Sequence, residues 1–172
     1  STRKIDNGFE VCTEDGETYE GKNLIIASGA AHRHLGIERE QELIGRGVSY
    51  CAVCDGPFFK EKTAAVVGGG SAALQDALYL AGICSKVYLI HRRDTFRAEK
   101  SLIDQVMAAE NIECVMESRV TALIGEKKLT ELEVTNLSGE KKTLVADGLF
   151  VAIGMEPHNE VFRDLVDLDE AG

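Results

Sequence analysis

Residues 63–90 read Thr63-Ala64-Ala65-Val66-Val67-Gly68-Gly69-Gly70-Ser71-Ala72-Ala73-Leu74-Gln75-Asp76-Ala77-Leu78-Tyr79-Leu80-Ala81-Gly82-Ile83-Cys84-Ser85-Lys86-Val87-Tyr88-Leu89-Ile90. The first five residues form an unbroken apolar run, the pattern of a strand buried on both faces. Three glycines follow. Ala72, Leu74, Ala77, Leu78 and Ala81 then recur at helical spacing between Ser71 and Ala81. Lys86 to Ile90 is a second apolar strand. Strand, glycine turn, helix and strand make one βαβ unit, in which the two strands run parallel.

Outward from this unit the pattern extends in both directions. Ala98 to Glu110 is amphipathic and helical, and Ile112 to Met116 reads as a third strand. Residues 119–146 switch to period two, with polar turns at Gly125-Glu126-Lys127-Lys128 and Ser138-Gly139-Glu140, which predicts a three-stranded antiparallel meander. Asp147 to Gly154 returns to a buried strand. Towards the amino end, residues 31–62 are irregular. Before them, Phe9 to Thr13 and Thr18 to Glu20 read as a hairpin, and Asn23 to Gly29 as a short buried strand. The fold class is therefore α/β: a Rossmann-like dinucleotide-binding domain with a three-stranded antiparallel β-meander.

The chain has 172 residues, 19 of them Lys or Arg and 29 Asp or Glu, for a net charge of −10. At 44% hydrophobic it has material for a core and is not a disordered chain. The acidic balance opposes general nucleic-acid binding. No apolar run approaches the roughly 20 residues that span a bilayer, and the first residues show no secretory h-region. Five cysteines at irregular spacing are a poor secreted disulfide framework and suit a reduced, cytoplasmic setting.

Three motifs carry chemistry. Gly68-Gly69-Gly70-Ser71-Ala72-Ala73 fits G-x-G-x-x-A between a strand and a helix. Gly68 suits the tight turn, Gly70 the close approach of a pyrophosphate, and Ala73 close helix packing, with the helix N-terminus facing phosphate. The alternative is a glycine turn that only packs. Next, His91-Arg92-Arg93-Asp94-Thr95-Phe96-Arg97 ends the following strand without the acid that a site selective for NAD places there. Lys86, Arg92, Arg93, Arg97 and Lys100 outnumber Asp94 and Glu99, a basic patch that suits the extra phosphate of NADP; the alternative is a solvated helix start. Finally, Cys51-Ala52-Val53-Cys54-Asp55-Gly56 is a C-x-x-C. It can form a redox disulfide, half of a zinc site, or two inert cysteines. Zinc lacks a second pair, because Cys84 and Cys114 are single and His32, His34, His91 and His158 form no matching set; no metal is expected. Asp55 is a candidate proton donor or acceptor, or a turn residue before Gly56-Pro57. Cys12, Cys84 and Cys114 read as small buried hydrophobes, and His32 and His34 as loop residues.

Together, Gly45-Arg46-Gly47-Val48-Ser49-Tyr50-Cys51-Ala52-Val53-Cys54-Asp55-Gly56-Pro57-Phe58-Phe59, the 68–73 loop and His91 to Ala98 resemble the low-molecular-weight thioredoxin reductases of bacteria. The resemblance runs over essentially the whole chain. It implies a homodimeric flavoprotein that passes electrons from NADPH to FAD, to the C-x-x-C disulfide and on to thioredoxin. It implies that Cys54 lies nearest the flavin, that Cys51 attacks thioredoxin and that Asp55 is the acid/base. Gly68, Gly70 and Ala73, with Gly69, Ser71 and Ala72 between them, would hold the NADPH pyrophosphate. Arg92, Arg93 and Arg97, led by His91, would hold its 2′-phosphate. Ile153 and Gly154 resemble the start of the family's second crossover and join the cofactor-binding candidates. Departures are Ser71-Ala72-Ala73 for Asp-Ser-Ala, Ala27-Ser28-Gly29 for Ala-Thr-Gly, and His158 for Asn. The flavin fingerprint with which the family begins is not among these residues. Residues 1–30 and 158–172 are therefore expected to be edges of a split FAD domain around an NADPH-binding domain at 31–157, in a piece of a longer chain. Rivals are a flavin enzyme with another disulfide partner, a ferredoxin-fed flavoprotein, which would be expected to lose the glycine loop and arginines, and a nucleotide-sensing module with structural cysteines.

Overall fold

The computed structural model describes residues 1–169. The chain divides into two compact units, one of residues 1–33 and 154–172, the other of residues 34–153.

In the first unit, β1 (Thr2–Ile5), β2 (Gly8–Cys12) and β3 (Thr18–Gly21) form an antiparallel sheet in that order. Thr13, Asp15 and Glu17 close the β2–β3 turn, where Gly16 takes φ +87°. Residues 23–29 are not the buried strand that their apolar run suggests. They carry no regular structure, and Ile25 is 89% exposed. A strand exists only through its neighbours, and no described strand pairs with this segment. Next comes β4 (Ala30–His32), which places His32 in a strand rather than a loop.

The second unit begins with β5 (Val48–Ser49), followed by a single helical turn, α1 (Ala52–Asp55), and a 3-10 turn over Gly56–Phe59. The decisive stretch then folds as read: β6 (Thr63–Val67), α2 (Ser71–Ala81) and β7 (Lys86–Ile90). α3 (Lys100–Ala108) is shorter at each end than its amphipathic pattern. β8 (Ile112–Val115) follows. The meander is β9 (Ser118–Ile124), β10 (Glu131–Asn136) and β11 (Lys141–Val145), paired in the order β11-β10-β9. β12 (Gly148–Val151) completes a parallel sheet ordered β5-β12-β6-β7-β8. In the first unit β13 (Met155–Pro157) pairs antiparallel with β4.

The parallel sheet is buried on both faces, which is why its strands read as continuous apolar runs. Ala64, Val66, Leu89 and Phe150 pack with Ala73, Leu74, Ala77 and Leu80 of α2 and Val106 of α3. Ala65, Val67, Leu149 and Val151 pack with Val120, Leu123, Leu132 and Leu144 of the meander. The buried stripe of α2 is Ala73, Leu74, Ala77 and Leu80; Ala72 is exposed, half a turn away from it. Cys84 is buried, whereas Cys12 and Cys114 are only half-buried. Among the described residues no helix is long and apolar enough to cross a membrane.

Candidate functional site

The glycine loop leaves the carboxyl end of β6, where ligands of open parallel sheets bind. Gly68 N–H donates to Ile90 O over 3.1 Å. A Cβ at Gly68 would meet Ala152 O and lie 2.5 Å from Ala73 Cβ, so its bare backbone and the small Ala73 permit each other. Gly70 caps α2 without a side-chain hydrogen bond. The N–H groups of the first turn are therefore offered outward. At Gly70 only Arg97 O, 3.9 Å away, approaches the missing side chain. Ser71 and Ala72 are exposed at the helix start, and Ala73 is buried behind them. An uncapped N-terminus with open space at Gly70 fits a pyrophosphate.

His91 lies beneath the loop. Its residue is 8% exposed, its ring stacks on Phe96 at 5.5 Å, and its Nε2 bonds Thr95 O at 3.1 Å. A Cβ on Gly69 would fall on the His91 ring, 2.5 Å from Nε2 and nearer to two other ring atoms. The imidazole thus fills the space that Gly69 leaves. Burial, aided by Arg92, Arg93 and Arg97, lowers its pKa below the ordinary 6.5, partly offset by Thr95 O. Arg97 is stitched to the loop through its backbone: its N–H donates to Gly69 O over 2.6 Å, and it forms a parallel bridge with Gly70. Arg92 and Arg97 are exposed and Arg93 is half-buried. Among the described residues none forms an ion pair with these three. Ile153 packs partly buried against the meander-side core, while Gly154 belongs to the other unit.

The cysteine pair follows β5. Cys51 and Cys54 are joined in a disulfide, with their Cα atoms 5.3 Å apart. Cys51 caps α1, its Sγ accepting from Cys54 N–H at 3.2 Å. Cys54 is exposed and Cys51 half-buried. Asp55 Oδ2 accepts from the Ser49 hydroxyl at 2.6 Å, and that hydroxyl accepts from Cys51 N–H at 3.0 Å. Sequence reasoning missed Ser49; only the pairing of β5 with β12 shows that it is buried beside the pair.

Just upstream, Glu40 is 2% exposed. Its carboxylate accepts from the N–H groups of Leu35 and Gly36, both at 2.9 Å, and from Tyr50 OH at 2.8 Å. His34 Nδ1 lies 2.6 Å from Tyr50 OH. Burial, then Glu40, pushes the Tyr50 phenol pKa up. A cleft of about 540 Å³ between Arg46, Phe58, Lys62, Lys127 and Lys128 is distinct from the glycine loop. Lys62 and Asp147, which also lines it, precede the amino ends of β6 and β12, whereas the loop leaves a carboxyl end. Among the described residues no three His, Cys, Asp or Glu side chains gather as a metal site.

Comparison with known proteins agrees with this fold. The chain is 42% identical over 158 residues to a thioredoxin reductase of Streptomyces clavuligerus, covering 91% of this chain and 49% of that protein. It is 44% identical over 163 residues to a bifunctional thioredoxin reductase/thioredoxin of Mycobacterium leprae, covering 94% and 36%. The crystal structure of Lactococcus lactis thioredoxin reductase superposes with a TM-score of 0.88 at 36% identity, over 99% of this chain and 57% of that one. The chain spans about half the length, or less, of these curated relatives. The family described as pyridine nucleotide-disulphide oxidoreductase matches residues 2–172. With its Cys51–Cys54 redox pair on an α/β fold, the chain belongs to that family and is a thioredoxin reductase homologue over about half of that enzyme's length.

Proposed function

We propose that this chain belongs to a cytoplasmic, homodimeric NADPH-dependent flavoprotein disulfide reductase, in which electrons pass from NADPH through FAD and Cys51/Cys54 to thioredoxin. The observation that carries the reading is one compact unit, residues 34–153, holding both a Cys51–Cys54 disulfide and an open glycine loop beside three arginines with no ion-pair partner among the described residues. That unit is proposed as the NADPH-binding domain, and residues 1–33 with 154–172 as parts of the FAD domain.

NADPH, when bound, supplies two electrons as a hydride. The N–H groups at the start of α2 receive its pyrophosphate, and Arg92, Arg93 and Arg97 its 2′-phosphate. His91, buried beneath Gly69, supports the loop instead of touching the nucleotide. For FAD, the described residues of the first unit include no α-helix and hence no helix N-terminus to receive a pyrophosphate.

The protein's own thiols do the exchange. Two electrons and two protons convert the Cys51–Cys54 disulfide to two thiols. The Cys51 thiolate then attacks a partner disulfide, forming a Cys51–partner bond and releasing one partner thiolate. Cys54 attacks Cys51, restoring the original disulfide and releasing the second partner thiolate. Asp55, beside the pair, takes and returns the proton. Phe58, 73% exposed, lines the basic cleft with Arg46, Lys62, Lys127 and Lys128, a surface that an acidic segment of a protein partner would complement.

The assignment of the two cysteines is tested by trapping. Cys54→Ser, reduced and mixed with oxidised thioredoxin, is expected to form a mixed disulfide on Cys51 that mass spectrometry localises; Cys51→Ser is expected to form none. Cys54 is the more exposed residue, so an adduct on Cys54 would reverse the roles, and no adduct from either variant would remove thioredoxin as partner.

A further inference from the structure

Ser49 is 5% exposed and ends the short strand β5. The sheet fixes its place, because Ser49 registers with Phe150 of β12. Its hydroxyl has one proton and two lone pairs. The proton goes to Asp55 Oδ2 at 2.6 Å, a charge-assisted bond, and a lone pair receives Cys51 N–H at 3.0 Å. A one-way chain therefore runs from the amide of the first redox cysteine, through the serine, to the carboxylate that follows the second. Asp55 N–H closes the loop by donating to Cys51 O at 3.1 Å.

We infer that Ser49 is a positioning residue for the Cys51–Cys54 chemistry: it ties the Asp55 carboxylate to the pair, so that serine and aspartate act as one unit. The inference rests on the redox reading of the pair and needs neither thioredoxin nor NADPH. Asp55 sits in the last position of a single helical turn, and without the serine its side chain is free to swing into water. Held in place, the Asp55 carboxylate stands one hydroxyl from the Cys51 amide, and a carboxylate beside the reduced pair disfavours a thiolate there. Released, or replaced by an amide, it no longer does so.

The test uses the full chain, reduced with dithiothreitol and desalted, with iodoacetamide as the probe at pH 7. Peptide mass spectrometry reads the alkylation rate of each cysteine, which follows the thiolate fraction. Asp55→Asn and Ser49→Ala are each expected to speed the faster-reacting thiol by about threefold or more, the scale of one nearby charge in a partly exposed site. The double variant is expected to be no faster than Asp55→Asn alone. Ser49→Thr, which keeps the hydroxyl, is expected to retain the original rate, and Ser49→Val, equal to it in shape, to match Ser49→Ala; that pair also serves if the alanine variant does not fold. An unchanged rate in both Ala and Val variants overturns the inference, as do effects that multiply in the double variant or a threonine that behaves like valine. Since iodoacetamide is the only reagent, failure to trap thioredoxin strikes the partner assignment and not this coupling.

Discussion

Gly69→Ala separates the support of the glycine loop by His91 from the loop's proposed contact with nucleotide. A Cβ built on Gly69 lies 2.5 Å from His91 Nε2 and closer still to Cε1 and Nδ1. The ring cannot simply turn aside. It is buried, stacked on Phe96, bonded to Thr95 O, and its own backbone is pinned by Val115 O and Ser118 N–H. Either the loop rises or the imidazole leaves its pocket, and such overpacking costs about 1–3 kcal/mol. His91→Ala alone empties a buried site and costs about 2–3 kcal/mol, the low end of large-to-small substitutions. The double variant places the new methyl in the space the ring vacates. Its loss in urea unfolding is therefore expected to fall short of the summed single losses by at least about 1 kcal/mol. Calorimetric titration supplies the functional half: Gly69→Ala is expected to weaken NADPH binding, and the double variant to recover part of it. Additive stabilities, or full NADPH affinity in Gly69→Ala, would refute the packing of loop on imidazole.

Other consequences are as direct. Arg92→Ala is expected to lower NADPH affinity about tenfold or more while leaving NADH unchanged, since one charge-assisted phosphate bond is lost; equal losses for both nucleotides in calorimetry would take Arg92 out of the 2′-phosphate site. His91 is held below its ordinary pKa of 6.5, so the unfolded chain takes the proton first as pH falls. Its contribution to stability is full above about pH 6.5 and drains as pH falls towards the folded value; urea midpoints at pH 7.5 and 5 should therefore converge in His91→Gln relative to wild type, and an undiminished gap would contradict it. Gly148→Ala places a methyl 2.5 Å from Phe59 Cε1 and is expected to destabilise the unit by about 1–3 kcal/mol in the same assay; unchanged stability would show that the Phe59 ring can move.

What the sequence disclosed follows from range. The βαβ stretch was legible because its signals are local: apolar runs for strands buried on two faces, three glycines, and a helix of small residues. The meander was legible because one face of each strand is buried, which enforces period two. Residues 23–29 misled for the opposite reason, since an apolar run does not name its partner. Ser49 carried no signal of its own. A serine before a tyrosine and a cysteine is ordinary, and its burial depends on β12, about 100 residues further along the chain. His91 was visible as part of a basic cluster, but its place beneath Gly69 was not, because a buried imidazole and a ligand imidazole read alike. Arg39 was likewise silent: it takes φ +68°, and its guanidinium donates to the carbonyls of Gly125 and Glu126 in the β9–β10 turn.

β12 explains how two chemically distinct segments come to share one frame. It lies between β5 and β6, with Leu149 and Phe150 in register with Val48 and Ser49 on one side and with Ala65 and Val66 on the other. The segment after β5 carries the disulfide, and the segment after β6 carries the glycine loop. Phe150 packs edge-on to Phe59 at 5.3 Å, anchoring the turn that follows the cysteines, while Ala152 O closes over Gly68. Both segments are thus held by one buried strand and the residue that follows it. Protein interiors are close-packed and transmit small displacements, so a shift of β12 moves the redox pair and the glycine loop together.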